Sequence, residues 1–246
     1  MGKGKINKII LDSAKAVSYN EKVAEKYLIA EDVDVELYVK MGLAELKKPK
    51  KTALKLTKSQ TFFRRLVLAA RITHECHREW TFGSVKFQKM VYLCEEASRM
   101  NFSTNYTKQA AGPFDHKFMH TVKAGFEKQK WFSVEKVKSG KYEKVQFSPM
   151  PNMLAYQNYY EKYYFESKKD IEHIIATFKK WKTDDVELVA TLYSCWIELN
   201  KNEEDSSKEN LTKKLYAWHK KKKKFKPERV SKFIDWMLEN GIYPVV

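Results

Sequence analysis

The stretch 84–147 constrains the fold of this chain most, because its pattern predicts two amphipathic helices followed by a β-hairpin. Ser84 is expected to cap the first helix, and apolar side chains follow it at three- and four-residue spacing. The Gly112-Pro113 pair interrupts this pattern, and Asp115 stands where the second helix needs an N-cap. Apolar and polar residues then alternate on both sides of a Lys-Ser-Gly-Lys turn, which predicts the hairpin. A helix that leads directly into such a hairpin is typical of a winged helix.

The length and composition allow a sizeable core. With 246 residues, of which 43% are apolar, the chain can form one large domain or two small ones. The pattern predicts an N-terminal helical region over 1–46, a basic linker over 47–58, a winged-helix-like region over 59–150, and a C-terminal helical region over 151–246 packed on it. We therefore predict a mainly α fold, with one small antiparallel β-hairpin in the winged-helix-like central region and a helical bundle at the C-terminal end.

Three features stand out in the C-terminal helical region. Residues 153–181 predict a long helix rich in aromatic side chains. Its tyrosines suit a buried strut, but aromatic residues beside cations can also form a protein interface or stack on single-stranded bases. Asp184 and Glu187 fit a capping box for the next helix. Lys220–Lys224 is an unbroken basic run, which predicts either a cationic binding segment or a solvated linker.

The charge of the chain indicates a class of partner. Its 47 lysine and arginine residues outnumber its 31 aspartate and glutamate residues, which gives a formal net charge of +16. An excess of this size attracts polyanions over long range and favours a nucleic-acid partner. A lysine-rich surface also keeps a protein soluble, and this alternative explains the charge equally well.

The predicted nucleic-acid-binding residues are cations of the second helix, the hairpin and the basic run. Most of those in the helix fall off its apolar stripe, so we expect them to face solvent or a duplex. The candidates are His116, Lys117, His120, Lys123, Lys128, Lys130, Lys138, Lys141, Lys220, Lys221, Lys222, Lys223 and Lys224. Lys136 and Lys144 of the hairpin can add phosphate contacts. The helix has no arginine or asparagine for a bidentate base contact, so non-specific contacts with the DNA backbone are expected. The alternative is a solvated basic face packed on a partner protein.

Metal ligands are present, but their spacing does not predict a metal site. His74, Cys76 and His77 are residue types that zinc prefers, yet they match no known zinc pattern and neighbouring side chains diverge around a helix. His116 and His120 share one helix face and can either chelate a metal or approach phosphates. We predict no metal and no other cofactor.

Enzyme chemistry has no recognisable local signature. The chain has no glycine-rich phosphate loop and no clear Ser-His-Asp or Cys-His arrangement. Glu166 and Lys168 have the spacing found in nuclease cores, but they lie in a helical pattern without a convincing upstream aspartate. We therefore predict a non-enzyme without catalytic residues.

The cysteine count and hydropathy bear on the compartment. The three cysteines are an odd number in apolar settings, which favours reduced thiols. No apolar run approaches the ~20 residues that a membrane-spanning helix needs. We expect a cytoplasmic protein without a membrane partner.

Several runs of this sequence resemble a module found at the C-terminal end of some type I restriction-modification specificity subunits. They are Phe82–Glu95, Ala110–Asp115, Lys128–Phe132, Val189–Trp196 and Trp236–Gly241. Together they extend from about Phe62 to the C-terminal end. The Lys-Phe-Gln-Lys-Met-Val-Tyr-Leu run and the Gly-Pro pair also resemble, more distantly, the Panacea or SocA-like antitoxin domain, which is helical with a winged-helix character.

The resemblance implies a function without catalysis. Nothing before Phe62 is large or β-rich enough to be a target-recognition domain, so the chain is not expected to choose a DNA sequence by itself. We expect an accessory protein of a type I restriction-modification or related anti-phage defence system that binds DNA backbone, partner subunits, or both. The alternative is a Panacea-like antitoxin that neutralises a toxin by protein-protein contact. A divergent nuclease is a third and weaker alternative.

Overall fold

The computed structural model describes residues 56–244 except 101, 103, 105, 140 and 141. The predicted N-terminal helical region, most of the basic linker and Lys141 therefore lie outside the described residues. In chain order the elements are α1 (Lys58–Cys76), α2 (Ser84–Ala97), β1 (Thr107–Gln109), β2 (Gly112–Phe114), α3 (His116–Gln129), β3 (Phe132–Ser139), β4 (Tyr142–Pro149), a first 3₁₀ helix (Met153–Ala155), α4 (Tyr156–Tyr164), α5 (Lys168–Phe178), α6 (Thr183–Lys201), α7 (Lys208–Trp218), a second 3₁₀ helix (Lys220–Lys224) and α8 (Pro227–Glu239). The predicted mainly α class is confirmed.

Helix α3 begins as its sequence predicts. Asp115 is the N-cap, and its carboxylate accepts a hydrogen bond from the Phe118 amide at 3.0 Å. This satisfies one of the amide groups that a helix leaves free at its start. Helix α2 begins differently, because Gly83 is its N-cap and Ser84 is already its first helical residue. The prediction that Ser84 caps α2 is therefore wrong.

The predicted hairpin is present, and a second strand pair accompanies it. Strands β3 and β4 pair antiparallel, with Phe132 opposite Pro149. Strands β1 and β2 also pair antiparallel, which the prediction of a single hairpin missed. Gly112 belongs to β2 and has a φ of 101°, and a Cβ there would lie 2.6 Å from Oγ1 of Thr191. A glycine is required because the backbone is left-handed and runs directly against α6.

Two predictions for the C-terminal helices are wrong. The predicted long helix over 153–181 is divided into a 3₁₀ turn, α4 and α5, with a break at residues 165–167. The capping box of Asp184 and Glu187 does not form, because α6 begins at Thr183 and its N-cap makes no side-chain bond. Glu187 is engaged elsewhere, by Lys222.

One hydrophobic core joins the central and C-terminal helices. Helix α2 contacts both α5 and α6, and α1 contacts α3 and α4. Helix α3 approaches α1 closely at Gly125, where a Cβ would lie 2.9 Å from a methyl carbon of Leu66. Within residues 56–244, none of the helices has both the length and the apolar character of a membrane span.

Candidate nucleic-acid interface

The cations of α3 occupy its exposed face. Phe118, Val122 and Phe126 are buried on the opposite face, as the three- and four-residue spacing predicts. The exposed predicted residues are His116, Lys117, His120, Lys123, Lys128 and Lys130. Lys123 pairs with Glu127 on the same face at 3.8 Å. The outer surface of α3 therefore carries an excess of positive charge that is open to an anionic partner.

A buried ionic network holds the start of α3 in place. The Arg65 guanidinium donates to Glu95 at 2.6 and 3.2 Å, to Asp115 at 2.6 Å and to the Tyr106 hydroxyl at 3.2 Å. Tyr106 in turn donates to Glu95 at 2.7 Å. These four residues, which we call the Arg65 network, connect α1, α2, the segment before β1 and the N-cap of α3. The network thus fixes where the basic face of α3 begins.

The electrostatics of the Arg65 network favour the charged form of Arg65, whereas burial raises the pKa of Glu95. Burial alone would lower the pKa of the Arg65 guanidinium, but the charge of Glu95 and the hydrogen bonds from the network raise it above its ordinary value. The guanidinium also lies 4.1 Å from the centre of the Phe118 ring, which adds a cation–π contact. A buried arginine whose three guanidinium nitrogens all donate within the network acts as a scaffold.

The hairpin lies between α3 and the loop that joins α1 to α2. Strand β3 contacts α3, while Phe147 of β4 packs against Phe82 and Phe87. Lys138 is exposed, as predicted. The two other lysines in the described part of the hairpin are engaged, because Lys136 pairs with Glu143 at 3.5 Å and Lys144 donates to the backbone carbonyl of Trp80. Lys138 is therefore the described hairpin lysine with the most freedom to meet a phosphate.

The basic run Lys220–Lys224 separates into exposed and buried lysines. Lys222 is 0% exposed, and its ammonium donates to Glu187 at 2.9 Å and to Thr191 at 2.8 Å. The run is a 3₁₀ helix, in which successive side chains point in different directions, so its middle lysine turns inward. The prediction that Lys222 contacts nucleic acid is overturned by this burial. Lys220, Lys221, Lys223 and Lys224 stay exposed.

A cavity of about 520 Å³ separates the β1–β2 turn from the second 3₁₀ helix. It is lined by Ala110, Ala111, Glu187, Lys220, Lys221 and Lys224. Lys224 is partly occupied, because it pairs with Asp184 at 3.1 Å and with Glu187 at 3.5 Å. The lysine side chains give the cavity a positive rim. Its acidic lining residue, Glu187, is already neutralised by Lys222.

Lys89 is a buried lysine whose position the sequence did not reveal. Its ammonium group donates to the carbonyl of Pro113 at 2.5 Å. Burial, together with the nearby charge of Lys222, lowers the pKa of Lys89 to about 7, and Glu187 opposes this effect. Lys222 bonds to Glu187 directly, so Lys89 is the ammonium group that gives up its proton more readily. A single sequence carries no signal for this cluster, because its members come from α2, α6 and the second 3₁₀ helix.

His74, Cys76 and His77, which the sequence offered as metal ligands, make structural contacts or are buried. His74 shares a hydrogen bond of 2.6 Å with the Tyr156 hydroxyl, and His77 bonds to backbone carbonyls of its own helix. Cys76 is buried, and burial raises the pKa of its thiol to about 12. Across the described part of the chain, no three His, Cys, Asp or Glu side chains are grouped to hold a metal ion.

Two comparisons with known proteins found no match. No protein-family model matches this chain, and no curated protein is significantly similar to it.

Proposed function

We propose that this protein is a non-catalytic accessory protein of a type I restriction-modification or related anti-phage defence system, and that it binds DNA through backbone phosphates. The observation that supports DNA binding best is the exposed face of α3, where three lysines and two histidines of the predicted set lie beside the hairpin, with Lys130 exposed just after the helix. Lys138 extends this positive surface onto the hairpin.

Phosphate contact suits the residue types on this surface. Lysine and histidine side chains can neutralise phosphates without regard to base sequence. The outer face of α3 offers no arginine or asparagine that could read a base edge with two hydrogen bonds. The expected binding is therefore weak, salt-dependent and independent of sequence. The proposed defence system is supported by the sequence resemblance described above.

A second proposal is that the chain acts by protein-protein contact, as a Panacea-like antitoxin or as a partner of restriction-modification subunits. Helix α4 favours it, because the helix buries Tyr156, Tyr160 and Tyr164 but leaves Tyr159 42% exposed. Phe165, directly after α4, is 79% exposed. Aromatic residues on a surface are typical of protein interfaces.

A salt titration tests the DNA-binding proposal. The affinity of the wild-type chain for a short duplex should fall linearly with salt on logarithmic axes, because each neutralised phosphate releases counterions. No binding at low salt, where phosphate contacts are strongest, would contradict this proposal. Co-purification from cells distinguishes the proposed partners, since restriction-modification subunits support the first and a toxin supports the second.

A further inference from the structure

Trp80 exposes a large aromatic surface in the loop between α1 and α2. Its residue is 79% exposed, whereas Trp131 is 1% exposed and Trp196 is 8% exposed. Within the described residues, no other ring contacts the Trp80 indole. Exposure of this degree is unusual for tryptophan, which is highly buried on average.

The loop that carries Trp80 is held on both sides. Lys144 of the hairpin donates to the carbonyl of Trp80. The next residue is anchored twice, because the Thr183 hydroxyl donates to the carbonyl of Thr81 at 3.1 Å and the Lys86 ammonium donates to the Thr81 hydroxyl at 2.8 Å. The backbone therefore presents the indole from a fixed position.

The Phe82 side chain fixes the Trp80 loop to the core. Phe82 is 2% exposed, and its ring lies 5.2 Å from the ring of Phe147 and 6.1 Å from that of Phe87. Phe82 thus anchors the loop, and Trp80, two residues earlier, remains exposed. An exposed indole on an anchored loop loses little conformational freedom when it meets a ligand.

The charges around Trp80 are mainly positive. Arg78, two residues before Trp80, is exposed, and Lys144 donates to the Trp80 carbonyl. Lys182 is also exposed and directly precedes Thr183, whose hydroxyl bonds to the Thr81 carbonyl. Half-buried Glu79 is the acidic residue next to it in the chain. An aromatic surface among cations fits a ligand that joins a flat ring to a negative charge.

We propose that Trp80 is a stacking site for a nucleobase, and that the ligand is a nucleic acid with an unpaired or splayed base. This inference rests on the proposed binding of DNA backbone by α3 and the hairpin. Because the hairpin lies between α3 and the Trp80 loop, a strand on the hairpin can meet lysines on one side and the indole on the other. Stacking on an exposed tryptophan is independent of sequence, since every base has a flat face.

The most exposed aromatic surface near α4 is a different place and a less suitable one. Phe165 is as exposed as Trp80, but it follows a helix whose exposed face carries other aromatic residues, including Tyr159. Aromatic residues grouped in this way fit a protein partner. Trp80 stands alone among charged residues, which favours a base over a protein.

The test compares Trp80→Ala, Trp80→Phe and Phe165→Ala in binding to a duplex with a single-stranded overhang, to the blunt duplex and to heparin. Trp80→Ala should weaken binding to the overhang duplex by roughly 5- to 100-fold. Trp80→Phe should retain most of the affinity because phenylalanine can also stack. Phe165→Ala, matched in exposure, should bind like the wild type. Heparin carries charge without bases, so Trp80→Ala should leave its binding unchanged. Thermal unfolding of each variant shows that it is folded.

These measurements distinguish a failure of the stacking inference from a failure of the proposed function. If DNA and heparin bind but Trp80→Ala leaves the overhang affinity unchanged, the stacking inference is wrong and the proposed function stands. An equal loss of heparin and DNA binding, or a loss of a co-purifying protein alone, also overturns stacking. If the wild type binds neither DNA nor heparin at low salt, the proposed function fails and the inference fails with it.

Discussion

Lys222 and Lys117 carry the same ammonium group, but one is buried in the core and the other is exposed on a helix surface. Lys222 is buried against Glu187 and Thr191, whereas Lys117 is exposed on the outer face of α3. A buried ammonium group is stabilising only while its partners remain, so it specifies how the helices meet. An exposed one contributes little to folding and remains free for a ligand. Buried cations therefore support the fold of this protein, whereas exposed cations are available to bind a ligand.

The largest expected difference between buried and exposed cations comes from removing Arg65, the centre of the Arg65 network. Arg65→Met should lower the free energy of unfolding by about 3–5 kcal/mol, because it leaves the Glu95 and Asp115 carboxylates buried without a positive partner. Urea denaturation measures the change. Lys117→Met is the matched control, and a loss of similar size in both variants would contradict the distinction between buried and exposed cations.

The basic run Lys220–Lys224 tests the same distinction between buried and exposed cations on neighbouring residues. Lys222→Met should cost about 2–4 kcal/mol, since Glu187 loses its buried partner. Lys221→Met and Lys223→Met should change the free energy of unfolding by less than about 0.5 kcal/mol, because both side chains are exposed. Equal effects at all three positions would mean that the inward turn of Lys222 is wrong.

Lys89 makes stability depend on pH. Its pKa is about 7 in the folded chain, against about 10.5 for an ordinary lysine, so between these values the unfolded chain binds more protons. The free energy of unfolding should therefore rise with pH across this window. Below pH 7 both states are protonated, and the cost of the buried charge is fully present.

The measurement compares the wild type with Lys89→Met at pH 7 and pH 9. Between these values the wild type should gain about 2 kcal/mol relative to the variant. Titrations common to both proteins cancel in the difference. A constant difference would show that Lys89 keeps the same proton in both states, and it would contradict the burial of the Lys89 amine near the charges of Lys222 and Glu187.

The smallest expected effect on stability belongs to the outer face of α3. A Lys117→Met, Lys123→Met double variant should unfold within about 0.5 kcal/mol of the wild type. Lys123 pairs with Glu127 on the surface, where an ion pair contributes little. Thermal unfolding and urea denaturation check this. A clearly larger loss would mean that these lysines support the fold.

Local patterns in the sequence predicted much of this structure. The apolar spacing of α3, its Asp115 cap and the alternation in β3 and β4 are all set by neighbouring residues, and all were predicted. The exposed position of the α3 cations follows from the same spacing, so most of the candidate surface was accessible from sequence. Its role in binding DNA stays a prediction.

What the sequence did not reveal depends on distant residues. Glu187 and Lys222 come from separate helices, so the run of five lysines gave no sign that its third member is buried. Strands β1 and β2 have three residues each, which is too short for an alternating pattern. Trp80 could not be separated from the buried tryptophans, because its exposure depends on how the loop meets the hairpin.

The measurement that tests the central claim most directly is the salt dependence of duplex binding in a Lys117→Ala, Lys123→Ala, Lys138→Ala variant. A matched variant replaces three exposed lysines of other helices, Lys162, Lys169 and Lys213. If α3 and the hairpin contact phosphates, the first variant should lower the slope of log affinity against log salt by up to about 3, because each lost contact removes about 0.9. The matched variant should keep the wild-type slope. An unchanged slope in the first variant would contradict the account and place the DNA contact elsewhere.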